Sequence, residues 1–159
     1  MTKIKFHQGF SLVELMFVVA IVAIFAVIAI PSYQYYVARS FQAEAQAEMQ
    51  KISERLEHYR GRQLTYAEFV PEHQEGTAKG VIHLPYDSGA NYNYKIILVD
   101  INDSTKSLED SALGQGWKMI AVPNQLKTNA LRQAKSYLLN SRGLSCETTN
   151  LLTITSTSC

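Results

Sequence analysis

One carboxylate stands inside the most apolar stretch of this sequence. Glu14 lies in GFSLVELMFVVAIVAIFAVIAIP, residues 9–31, five positions after Gly9 and with no other charge in the run. An ionised carboxylate is costly in hydrocarbon, less so near the interface, and such a residue implies a partner. The remaining reactive side chains are few. Cys146 and Cys159 enclose a short loop at the C-terminal end. Paired, they form a disulfide worth roughly 3 kcal/mol by loop closure and imply an oxidising compartment; otherwise they are two unrelated thiols. His7, His58, His73 and His83 show no ligand spacing with one another or with the cysteines, so no metal is expected. There is no G-x-S-x-G, no phosphate-binding glycine loop and no nucleophile–base pair, so no catalytic residue, enzyme activity or cofactor is assigned. Asp100, Asp103, Glu109 and Asp110 crowd one polar stretch, which either binds a cation or is a solvated loop. Lys118, Lys127, Arg132, Lys135 and Arg142 form either a local DNA-contacting patch or a dispersed set of solvated cations. With 15 basic and 14 acidic residues spread along the chain, the dispersed set is favoured. Trp117 is the single tryptophan and reads as core or as a subunit contact.

The elements that position these residues begin with the N-terminus. MTKIKFHQG, residues 1–9, carries Lys3 and Lys5 and no acid. Residues 10–30 then hold one charge, and the next is Arg39. At the helical rise this run is about 30 Å long, enough to cross a bilayer core. The basic leader stays in the cytoplasm and the rest of the chain faces outward, which agrees with a disulfide. An ordinary secretory signal does not fit. The apolar run is too long and no small-x-small cleavage site closes it.

Residues 31–60 read as a second helical half. Val37, Phe41, Ala45, Met49, Ile52, Leu56 and Tyr59 recur at spacings of three and four, with charges on the other face. Glu44 with Glu48, and Lys51 with Arg55, are unfavourable like-charged pairs that the stripe outweighs. Gly61 is a suitable stop, and Pro31 marks a kink or a hinge in one long rod. Residues 61–90 read as a connecting loop with a turn of helix near 66–70. Strands are expected at 91–101, at 116–123, within 137–145, where the strand runs into a Ser-Arg-Gly turn, and at 151–157, with a short helix or loop at 125–136. The head, residues 61–159, is thus an antiparallel sheet covering the helix stripe, an α+β arrangement.

The stretch GFSLVEL, with its short basic leader and an apolar run into IPSY, resembles the class III signal of type IV pilins and pseudopilins. The resemblance implies cleavage between Gly9 and Phe10 by a prepilin peptidase, then methylation of the new Phe10 amine. It implies that Glu14 pairs with the positive N-terminus of a neighbouring subunit and so sets register in a filament, a use to which buried ion pairs are suited. It implies the pilin fold, with residues 10–30 packed in the filament centre and local melting near Pro31 tolerated. IPSYQYYVARS, LTYAEF and the segment 137–143 are most similar to the PilE type of minor pilin, although Cys146 follows the last of these rather than preceding it. The partners implied are the prepilin peptidase, a major pilin, other minor pilins, the pilus assembly platform and the inner membrane. The function implied is that of a minor subunit that helps to prime a type IV pilus, stored in the bacterial inner membrane with its head in the periplasm and later displayed at the cell surface. A major pilin or a type II secretion pseudopilin is the alternative.

Overall fold

The computed structural model describes residues 10–159. The expected leader, 1–9, and with it the Gly9 side of the cleavage bond, lies outside the described residues.

One helix, α1 (Leu12–Gln63), runs from the apolar segment to the head. Its 52 residues amount to about 78 Å at the standard rise. The helix continues through Pro31, which costs one amide donor but does not end it. It also continues through Gly61, the expected stop, and closes at Leu64. Leu64 adopts the left-handed conformation (φ 60°), and its amide donates to the Arg60 carbonyl at 2.8 Å. Termination is therefore set by a cap two to three residues later than glycine alone suggests.

The expected like-charge conflicts on α1 do not arise. Glu48 is buried and receives Lys51 at 3.3 Å, while Arg55 reaches out of the helix to Glu72 at 2.5 Å. Glu48 in the first pair, and both Lys51 and Arg55 in the second, find opposite partners.

The sheet is a five-stranded antiparallel meander of β1 (Val81–Leu84), β2 (Tyr94–Asp100), β3 (Trp117–Pro123), β4 (Ser136–Asn140) and β5 (Ser145–Thr148), paired in chain order. Alternate residues of β2 and β3, namely Tyr94, Ile96, Leu98, Trp117, Met119 and Ala121, pack against Ala45, Met49, Ile52 and Leu56 of α1. This is the predicted stripe meeting the predicted sheet. On the opposite face Ile120, Val122 and Leu138 are covered by Leu152. Every residue of β3 is buried because both faces are covered.

Three expectations are corrected. Residues 151–157 are not a strand: the last strand is β5, reached from β4 through the tight Arg142–Gly143 turn. The alternation of LLTITST reports residues laid over a sheet face, not residues hydrogen-bonded into it. Residues 66–70 form no helical turn, since Glu68 has φ +63°. β1 is an edge strand inside what reads as a loop. Residues 125–136 do contain a short helix, α2 (Asn129–Arg132), capped by the Thr128 hydroxyl, which accepts from the Leu131 amide at 3.2 Å.

Candidate functional site: a bare apolar helix and two charged ends

Residues 12–30 of α1 touch nothing in the head. Fifteen large apolar side chains from Phe10 to Ile30 are at least half exposed. At about 1.5–3 kcal/mol each, leaving them in water forfeits roughly 20–45 kcal/mol. That exceeds the ~5–15 kcal/mol by which whole domains are stable. The surface must be covered by lipid or by other helices, and the few kcal/mol that Glu14 costs cannot reverse the sign. Glu14 is exposed in the first turn and has no ion-pair partner among the described residues. The positive end of the helix dipole favours a carboxylate there, and a cation from outside would complete it.

Farther along, the head is bolted to α1 at both ends. At the end away from the apolar run, the Tyr66 hydroxyl donates to Glu57 Oε1 at 2.8 Å and accepts from Arg60 Nη1 at 3.1 Å. Trp117 Nε1 donates to the same Glu57 oxygen at 3.4 Å, so the indole reads as core with one polar tether. Burial in this cluster raises the Tyr66 hydroxyl pKa above its usual value. At the near end, the Tyr35 hydroxyl donates to Gln133 Oε1 at 3.0 Å and the Tyr137 hydroxyl to Gln42 Oε1 at 3.1 Å. These long-range tyrosine contacts leave no local pattern in the sequence and were not expected from it.

The five candidate DNA-contacting cations do not form one patch. Lys118 is buried under residues 151–156, where it donates to Ser104 Oγ at 2.9 Å and to the carbonyls of Ile154 and Ser156. Burial lowers its pKa. Lys135 is paired with Glu147. Arg142 stands at the Trp117 end of the sheet, whereas Lys127, Arg132 and Lys135 stand at the Pro123 end. The seven residues of β3 separate the two ends by about 20 Å. At the first end, Arg142 Nη2 donates to Asn102 Oδ1 at 3.1 Å and Asn102 Nδ2 to Gln115 Oε1 at 3.3 Å.

The acidic stretch is internally used. Asp100 is buried and accepts from the Asn102 and Asp103 amides and the Ser111 hydroxyl. Lys106 pairs with Asp103, and Lys79 with Glu109 and Asp110. Among the described residues no three His, Cys, Asp or Glu side chains come together as metal ligands. Cys146 and Cys159 are joined as a disulfide with Cα atoms 6.1 Å apart.

Comparison with known proteins agrees with this arrangement. A family model described as type IV minor pilin ComP, DNA uptake sequence receptor, matches residues 31–131, and one described as the prokaryotic N-terminal methylation motif matches residues 4–30. The chain is 60% identical to fimbrial protein EcpC of Eikenella corrodens over 39 residues, 24% of this chain and 26% of that protein. It is 48% identical to type IV major fimbrial protein FimA of Dichelobacter nodosus over 51 residues, 32% of this chain and 33% of that one. It is 32% identical to type IV major pilin protein PilA of Myxococcus xanthus over 90 residues, 57% of this chain and 37% of that protein. The matched part is thus between about a quarter and just over a third of these curated relatives' length. No solved structure matches the chain. With more than half of its residues inside the first of those family models, the chain belongs to the type IV minor pilin ComP, DNA uptake sequence receptor, family of type IV pilins.

Proposed function

We propose that this type IV pilin is a minor subunit that brings a DNA-contacting head to the pilus. It is stored in the inner membrane with the head in the periplasm, and prepilin peptidase cuts between Gly9 and Phe10 and methylates the Phe10 amine. That amine is the external cation that Glu14 lacks among the described residues. The assembly platform then lifts the subunit among the major pilin and other minor pilins, whose helices replace lipid on residues 10–30, and the subunit helps to prime the fibre. The observation that carries the DNA reading is the match of residues 31–131 to a model described as a DNA uptake sequence receptor. The Arg142, Asn102 and Gln115 cluster supports it, because Arg, Asn and Gln are the side chains that pair with base edges. The relatives described as major pilins do not select a major role, since they match only 32% and 57% of this chain and about a third of their own length.

The test is duplex binding by the full-length chain in detergent at rising salt. Binding is expected to weaken steeply with salt, and Arg142→Ala to weaken it about tenfold. Binding that ignores both salt and Arg142 contradicts the DNA reading.

A further inference from the structure

We propose that the base of the head is a docking surface for the anionic headgroups of the phospholipids that hold the subunit before assembly. The inference rests on the membrane-stored state proposed above. Its first support is charge segregation. Residues 31–43 and 123–135 carry Arg39, Lys127, Arg132 and Lys135 and no Asp or Glu, whereas residues 44–57 of the same helix carry Glu44, Glu48, Glu54 and Glu57 against Lys51 and Arg55, a net negative balance. The two basic segments meet in space. The Tyr35 hydroxyl donates to Gln133, and a cavity of about 330 Å³ between them is lined by Tyr33, Val37, Phe41, Lys127, Thr128 and Leu131, among others.

The second support is depth. Tyr33 lies three residues beyond Ile30, about 5 Å along the helix, and Phe41 about 16 Å. The headgroup layer on one side of a bilayer is roughly 5–8 Å thick. The Tyr33 end of the cavity therefore lies at headgroup level, and Arg39, about 14 Å beyond Ile30 along the helix, is within about a Debye length, 8–10 Å, of the outer edge of that layer. Tyr33 and Tyr36, 68% and 72% exposed, form an aromatic collar at the position where membrane proteins carry one.

The third support is the state of the cations. Lys127 Nζ donates to the Asn91 carbonyl at 2.8 Å and Asn93 Oδ1 at 2.7 Å, both neutral acceptors, which leaves its charge uncancelled and one N–H free. Arg132 Nε donates to the Gln125 carbonyl at 2.9 Å and keeps its other donors. Arg39 has no carboxylate partner among the described residues, while Lys135 is neutralised by Glu147. Lys127 on the cavity wall, with Arg39 and Arg132 on the two basic segments that meet there, supplies the cations for phosphate, beside an apolar cavity for the first methylenes of a lipid.

The experiment places the full-length chain in vesicles of phosphatidylcholine with or without phosphatidylglycerol. Leu126→Trp reports from the base loop, where Leu126 is 89% exposed, and nitroxide-headgroup lipid serves as quencher. Buried Trp117 at the far end is an unquenched background common to all samples. Quenching at position 126 is expected to be about threefold stronger with phosphatidylglycerol, and to fall to the neutral-lipid level in high salt and in Lys127→Glu/Arg132→Glu. Lys127→Gln/Arg132→Gln, which removes the charge but keeps a polar amide donor, is expected to give the same loss and guards against misfolding by charge reversal. Flotation of the vesicles reports anchoring separately. Protein that does not float refutes the membrane-stored reading itself. Floating protein whose quenching ignores phosphatidylglycerol overturns the docking surface alone. If the paired substitutions abolish duplex binding and leave quenching unchanged, the base is a nucleic-acid surface and the lipid proposal falls.

Discussion

At the scale of single residues, two buried or membrane-facing charges carry the clearest consequences. Glu14 sits on a helix segment whose burial is favourable by tens of kcal/mol, so removing it does not release the segment from the membrane. Under the proposed function its loss acts on register instead. Glu14→Val is expected to leave leader cleavage intact and to lower the ratio of filament-borne to membrane-borne protein at least about tenfold, the cost of leaving a neighbour's amine unpaired. Immunoblots of sheared filaments and membranes from the same cells measure that ratio. Lys118 is the opposite case, a cation held inside the head by three oxygens. Burial depresses its folded pKa below 10.5, so the unfolded chain binds more protons in the window between the two values. Its contribution to stability is complete above about 10.5 and is lost as pH falls toward the lowered folded value. Wild-type denaturation midpoints should therefore rise relative to Lys118→Met as pH increases toward that limit. A pH-independent difference would place the lysine in solvent.

At the scale of elements, two glycines separate conformational need from tolerance. Gly114 has φ +51°, and a Cβ added there would lie 2.0 Å from the Ala67 amide nitrogen, in the loop that the Tyr66 amide ties to the Gly114 carbonyl. Gly114→Ala is expected to cost about 3 kcal/mol or more in denaturant titrations, since backbone and neighbour cannot both be relieved. Gly61 lies inside α1 with nothing within 4 Å of an added Cβ. Gly61→Ala is expected to stabilise by about 0.5–1 kcal/mol. The same elements show how far the sequence could be read. The 3.6-residue stripe from Val37 to Tyr59 gave the buried face of α1, and the aromatic and β-branched runs gave β2 and β3. β1 was not legible, because four residues between Gly80 and the Leu84–Pro85 step are too few to show a period. Residues 151–157 showed a period that was real as burial and misleading as pairing. The Glu57, Tyr66 and Trp117 cluster was hidden because its members are up to 60 positions apart. The cysteine pair was legible because two cysteines within the last 14 residues depart from the local composition.

At the scale of the whole molecule, the chain has two surfaces that cannot both be satisfied in water: an apolar half-helix, and a head closed by the disulfide-bonded C-terminal segment. That segment covers Ile120, Val122 and Leu138 through Leu152 and covers Lys118 as well. Cys146→Ser/Cys159→Ser is expected to lower stability by roughly 3 kcal/mol and to open residues 149–159 to limited proteolysis before the rest of the head. The central claim is that the apolar helix is retained, processed and inserted among other pilin helices in low copy. Mass spectrometry of sheared surface filaments tests it most directly. The expected result is a trace subunit whose N-terminal peptide begins at N-methylated Phe10. Protein that still carries residues 1–9, or that is absent from the filaments, would contradict the account, and a dominant subunit would contradict its minor role.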